Sequence, residues 1–442
     1  MADKVSKIIE EAASKAAEAA SKAAEAAGVA GKAALGAAEK AAASPAAKAV
    51  AEAVSEAAGA AGSIARGAVG GAREKAAKLA GDAAAKLAEA RSALPFRARP
   101  ATGPRVVCFG EIMMRLNPPG CLRFAQAHSF EASYTGGEAN AAVSLAHFGV
   151  DAAFVSKVPK HDVGQAAINA LRQHGVDTSR VLRGGDRLGI CFIEKGAPQR
   201  ASKVIYDRAD SAFASAGANE YDWDAILAGA TWFHFTGVTP ALGANAAEAC
   251  KNALEAARRM KATVSCDLSY RRKLWGKEKA GEAMASLMPY VDVCIASEGD
   301  AADMFGIRAE GAGARKGEDG KGSHASVARQ LMERFGFKSV AIILRGARSA
   351  GAYELSGLLY NGEAFFAKTH RVRSVDRVAI SDSFSAGLVY ALLSGYDSQR
   401  AVDFATAASC LKQSIEYDFN LASVQEVSSL AAGDASGGRA RR

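Results

Sequence analysis

The chain has 442 residues, a formal net charge of +8 and seven cysteines. That length accommodates two or three domains with a sizeable core, and the mild, evenly spread charge excludes the concentrated basic stripe that would track nucleic-acid phosphates. The cysteines (Cys108, Cys121, Cys191, Cys250, Cys266, Cys294, Cys410) are odd in number and never paired as CxxC, which argues against a disulfide framework or zinc site and for reduced thiols.

Residues 1–95 are dominated by Ala, Lys, Glu and Ser, without an aromatic residue and with one internal proline, Pro45. The heptapeptide Ala-Ser-Lys-Ala-Ala-Glu-Ala occurs in tandem at 13–19 and 20–26. Its residues are strong helix formers, and Lys15, Glu18, Lys22 and Glu25 fall at spacings that pair charges on one helix face. Alanine supplies little area to bury, so two readings stay open for this extension. One is a solvated, partly helical tail; the other is a helix that packs on a protein partner or a second subunit. The segment has neither the apolar h-region of a secretory signal nor the acid-poor composition of a transit peptide. No window of about 18 uncharged apolar residues occurs. A cytoplasmic protein without membrane or nucleic-acid partners is expected.

The composition changes abruptly at Leu94-Pro-Phe-Arg-Ala-Arg-Pro100, where two prolines, Pro95 and Pro100, mark a linker over 96–104. Beyond it, apolar strand-like runs stand at 105–109, 152–156, 231–235, 262–267, 291–296 and 338–344. Helical patterns run between them at 138–148, 164–174, 244–260, 278–288 and 323–335. Short apolar strands alternating with helices predict an α/β domain over 105–442, its mainly parallel sheet covered on both faces. Ligands in such sheets bind at the carboxyl ends of the strands.

Several segments then occur in a telling order. They are Gly110-Glu-Ile-Met-Met-Arg-Leu-Asn117, Tyr134-Thr-Gly-Gly-Glu-Ala-Asn140, Lys203-Val-Ile-Tyr-Asp-Arg208, Asp267-Leu-Ser-Tyr-Arg271, Val375-Asp-Arg-Val-Ala-Ile-Ser-Asp382 and Asp418-Phe-Asn420. Together they make the chain resemble the ribokinase-type (phosphofructokinase-B) sugar kinases, in particular the 2-keto-3-deoxygluconate kinases. The resemblance implies a ribokinase-like sandwich with a small β-lid from about 113–133 and 189–204. It also implies phosphoryl transfer from ATP with Mg²⁺ to a sugar-acid hydroxyl. On the sugar side it assigns the substrate to Gly136, Gly137, Tyr206, Arg208, Arg271 and Asp418, although such arginines also make ordinary ion pairs.

The phosphate side departs from the family pattern. Ala379, Ile380 and Ser381 stand where the family carries a Gly-Ala-Gly anion hole, before the family's catalytic base, here Asp382. Ser297 and Asp300 replace the magnesium-associated Asn-x-x-Glu, leaving Asp300 as a weak metal ligand at best. Glu416-Tyr417 replaces Pro-Gly, which is expected to bring a negative charge near the phosphates, and Ser269 replaces an asparagine. A Cβ where φ is positive costs roughly 1–2 kcal/mol. A Ser-Asp-Ser run before an apolar helix also reads as an N-cap, so Asp382 is either a base or a cap. The expectation is a catalytically degenerate kinase fold serving as a structural or interaction module, with an active ATP-dependent kinase as the rival.

Overall fold

The first apolar run, Arg105–Phe109 (β1), sends alternate side chains into two different cores. Val107 and Phe109 join Phe233 and Phe235, while Val106 and Cys108 join Phe154, Phe384 and Phe404. A strand apolar on both sides belongs inside a sheet covered on both faces, which is the arrangement of the computed structural model. It describes residues 103–197, 200–309, 320–349 and 352–433; the extension 1–95 and most of the 96–104 linker lie outside these residues.

After β1 come β2 (Met113–Asn117), β3 (Glu131–Thr135), β4 (Asp151–Val155), the short pair β5 (Lys157–Val158) and β6 (Leu182–Arg183), β7 (Gly189–Glu194) and β8 (Lys203–Asp207). The remaining strands are β9 (Ala230–Thr236), β10 (Thr263–Asp267), β11 (Val293–Ala296), β12 (Ser339–Ser349), β13 (Ala352–Tyr360), β14 (Ala364–Phe366) and β15 (His370–Arg373). The nine-stranded main sheet runs β14-β13-β12-β11-β10-β9-β1-β4, with β15 also on β13. Neighbours from β12 to β4 are parallel. An antiparallel end, made by β13 with β12, β14 and β15, was not anticipated from the sequence.

The helices are α1 (Gly137–His147), α2 (Asp162–Arg172), α3 (Trp223–Leu227), α4 (Ala244–Arg259), α5 (Lys277–Leu287), α6 (Glu298–Phe305), α7 (Gly320–Phe335), α8 (Ile380–Leu393), α9 (Ser398–Lys412) and α10 (Val424–Ala432). In α4, Ala246, Ala249, Cys250, Ala253, Leu254 and Ala257 recur at three- and four-residue intervals and are all buried. That stripe faces the first core. Helices α1, α8 and α9 cover the opposite face. Among the described residues no helix is long and apolar enough to cross a membrane.

A second sheet of four strands, ordered β3-β2-β7-β8, stands apart from the first. Its strands occupy the two segments in which a lid was expected and run past them, to Thr135 and Asp207. On one side Met113, Cys191, Ile193 and Val204 cluster with Val378, which lies in the loop before α8.

Candidate active site

Helix α8 opens on the cleft. Its N-cap is Ala379, in the left-handed region (φ 53°, ψ 30°), and no side chain caps the helix. The first amides of any helix lack acceptors within it, so those of Ile380, Ser381 and Asp382 form a natural anion-binding end. Asp382 sits in the first turn rather than at the cap, and its Oδ2 accepts from Asn140 Nδ2 of α1 at 2.7 Å. The reading of Ser381 or Asp382 as an N-cap is therefore corrected: the cap is Ala379, two residues before Ser381. Burial pushes the Asp382 carboxyl up to about 6, with Asp418 and Glu138 adding to the rise and Asn140 and Arg271 opposing it. A group titrating there suits proton transfer near neutral pH.

Gly136 and Gly137 join β3 to α1 beside this carboxylate. A Cβ on Gly136 would lie 2.1 Å from the Glu111 carbonyl oxygen, and one on Gly137 would lie 3.6 Å from Asp382 Oδ1. Glycine at 136 is thus demanded by close backbone approach. Glu138, buried at the start of α1, accepts from Thr236 N, Thr236 Oγ1 and Thr239 Oγ1 at 3.0, 2.8 and 2.6 Å. These bonds tie α1 to the end of β9.

The other sugar-side candidates divide. Tyr206, Arg208, Arg271 and Asp418 all line one cavity of about 1320 Å³ with Gly136, Gly137 and Asp382. Arg208, however, is held by Glu111, to which its Nε donates at 2.7 Å, so the ordinary ion-pair reading applies to it. Asp418 is buried with both oxygens engaged, Oδ2 by Arg115 at 2.6 Å and Oδ1 by Thr135 Oγ1 at 2.7 Å. It therefore holds the wall together and has little left to offer a ligand. Arg271 is exposed, donates to the Tyr270 carbonyl at 3.2 Å and opposes the upward shift that burial imposes on Asp267 and Asp382. Among the described residues it makes no ion pair, and it shares the cavity wall with Arg345 and Arg377.

On the phosphate side, Ser297 caps α6. Asp300 closes a capping box, its Oδ2 accepting from Ser297 N and Oγ at 3.0 and 2.6 Å. Its Oδ1 accepts from Tyr270 N at 3.0 Å. Asp300 is thus a structural carboxylate, and the metal-ligand candidate loses ground. Sequence reasoning missed Asp267, the last residue of β10. It is buried, its Oδ2 has no hydrogen-bond partner, and burial, with Asp300 and Asp382 nearby, pushes it up to about 7. Its position at the carboxyl end of a parallel strand was the available signal. Among the described residues no cluster of three or more metal-binding side chains occurs.

A second cavity of about 1120 Å³ is lined by Asp267, Lys321, His324, Arg345 and Lys368. It shares Ser269, Arg271, Asp300, Arg345 and Ser381 with the first, so the two form one cleft that meets at the start of α8. Ile380 packs against the core behind α8 and also borders the first cavity; Ser381 borders both. Neither Glu416 nor Tyr417 lines the cleft. Glu416 pairs with Lys195 at 3.0 Å and Tyr417 Oη donates to Glu131 at 3.0 Å. The expectation that Glu416 brings negative charge to the phosphates is corrected accordingly.

Residues 104–415 match the family model for pfkB family carbohydrate kinases. The chain belongs to the pfkB family. Within the family it is 33% identical over 331 residues to a 2-dehydro-3-deoxygalactonokinase of Haloferax volcanii, covering 75% of this chain and 98% of that protein. A 2-dehydro-3-deoxygluconokinase of Thermoproteus tenax is 28% identical over 71% of this chain and 89% of its own. The crystal structure of the Thermotoga maritima 2-dehydro-3-deoxygluconokinase superposes with a TM-score of 0.72 and 45% identity, covering 75% of this chain and 99% of that one. The ribokinase-like fold follows from this superposition.

Proposed function

We propose that the protein binds a 2-keto-3-deoxy sugar acid and that its phosphoryl-transfer half is degenerate, so that it acts as a sugar-acid-binding or interaction module. Residues 1–95 would be its assembling element. The observation that carries the reading is Ala379: its backbone keeps a conformation that favours glycine (φ 53°), yet it bears a side chain. Ile380 and Ser381 follow it on the rim where a phosphoryl group would approach.

The chemistry such a site performs is a hydroxyl oxygen attacking the γ-phosphorus of ATP, with ADP leaving and the hydroxyl proton going to a base. Arg271 would hold the sugar carboxylate, Gly136 and Gly137 would admit the sugar, and Asp382 would take the proton. The α8 amides would receive the charge on the transferred group. Mg²⁺ bound with ATP would neutralise phosphate charge; Asp267, with its unpartnered oxygen, fits a cation that needs one or two carboxylates.

The second reading, an active ATP-dependent sugar-acid kinase, is favoured by Asp382, which is free of capping and tuned to about 6. Sugar-dependent ATP turnover by the purified protein separates the two. Turnover at rates usual for kinases would refute the degenerate site; its absence, together with calorimetric binding of 2-keto-3-deoxygluconate, would support it.

A further inference from the structure

Two of the residues that depart from the family pattern, Glu416 and Tyr417, lie away from the cleft and touch the small sheet instead. Tyr417 has φ 61°, a left-handed conformation rare for a side-chain-bearing residue. That turn brings its hydroxyl to Glu131 of β3. Its ring is approached by two cations, the Arg115 guanidinium carbon at 5.6 Å and Lys195 Nζ at 5.5 Å from its centroid. Lys195, just after β7, also pairs with Glu416 at 3.0 Å.

Beneath this outer contact lies a buried one. Arg115 of β2 is fully buried and donates to Asp376 at 2.7 Å, Asp418 at 2.6 Å and Asn117 at 3.1 Å. Asn117 in turn donates to Glu131 at 3.2 Å, and the Tyr417 amide donates to Asp376 at 3.2 Å. The small sheet is therefore fastened to the loops before α8 and after α9 by one connected polar network.

We infer that Glu416 and Tyr417 form a latch that holds the small sheet down on the sugar half of the cleft, making Tyr417 a positioning residue for whatever that half binds. The occupant of the cavity rests on the sugar-acid reading; the latch itself does not. A sheet so held opens rarely, and a ligand beneath it leaves slowly.

Cys191 supplies the probe. It lies on β7, lines the sugar cavity, is buried with Val378 and is a free thiol. In a Cys121→Ser background, which removes the exposed thiol, iodoacetamide labelling of each cysteine peptide is followed by mass spectrometry without ligand. Tyr417→Gly places glycine where φ is already positive, so folding is not endangered; Lys195→Ala tests the second arm. Each should accelerate Cys191 labelling about tenfold, the equivalent of one lost charge-assisted contact, while Cys108, Cys250, Cys266 and Cys294 stay protected. Unchanged Cys191 labelling in both variants would overturn the latch. So would parallel acceleration of the core cysteines, which would mean general loosening. Calorimetry showing no sugar-acid binding would sink the ligand reading and leave the labelling result standing.

Discussion

Arg115 gives the sharpest quantitative test of how this fold is held. Its side chain is fully buried and bridges two nearly buried carboxylates, Asp376 and Asp418. Replacing it with Met keeps much of the volume and breaks both ion pairs, leaving the buried Lys412 ammonium as the remaining cation acting on the two acids. Removing one partner of a buried ion pair costs about 3–5 kcal/mol. Here two acids lose that partner, but each keeps a weaker donor: the Tyr417 amide for Asp376 and the Thr135 hydroxyl for Asp418. The two effects oppose one another, so the middle of that range is the working value. With about 2.1 cal/mol/K of unfolding entropy per residue, a domain of this length shifts by about 1.4 °C for each kcal/mol, and Arg115→Met should lower the thermal midpoint by about 6 °C. Arg115→Lys keeps the charge but not the fork that reaches three partners, and should fall between the two. Adding Asp418→Asn to Arg115→Met should restore part of the loss, since neighbours in one network are not additive. Scanning calorimetry of the four proteins decides it. A midpoint for Arg115→Met within about 2 °C of wild type would refute the claim that this network fastens the small sheet.

Restoring glycines at the anion hole (Ala379→Gly, Ile380→Ala, Ser381→Gly) should raise sugar-dependent ATP turnover about 10²–10³-fold, and Asp382→Asn should abolish the gain. If turnover rises only after Ser297→Asn and Asp300→Glu are added, the α6 cap is the second lesion. Arg271→Ala should weaken calorimetric binding of 2-keto-3-deoxygluconate at least tenfold while leaving MgATP binding nearly unchanged; equal losses for both ligands would contradict its assignment. Asp267 titrates at about 7 when folded and near 3.9 when unfolded. The folded state therefore binds the extra proton, and stability falls as pH rises from about 4 to 7. Asp267→Asn should raise the thermal midpoint at pH 8 and do little at pH 4, as followed by scanning fluorimetry; an equal effect at both would reject the shift.

The strands that carry the sheet were legible because a run such as Val106-Val-Cys-Phe109 is apolar on both faces, and only a central strand satisfies both cores. The antiparallel end was not legible: β13 is interrupted by Glu354, Ser356 and Gly357, so neither a continuous apolar run nor a clean alternation marks it. At the site, Gly136, Gly137 and Asp382 could be singled out because their residue types and order are local properties. Asp267 was passed over because an unpartnered oxygen is a product of burial, visible only once β10 lies beside α6 and α8. Asp382 read as a cap because nothing in Ser-Asp-Ser reports that Ala379 has already turned left-handed. The partners of Glu416 and Tyr417 were out of reach for the same reason, lying some 220–290 residues away in sequence.

The conformations at Ala379 and Tyr417 also bear on how this chain could change. Both positions hold the main chain where glycine is the residue most at ease. A change to glycine at either place requires only that a side chain be shed, with no loop to be redrawn. In a randomised library over these positions, selection for folding alone should tolerate glycine readily. At both positions glycine would therefore be admitted by a few codon changes rather than by a change of architecture.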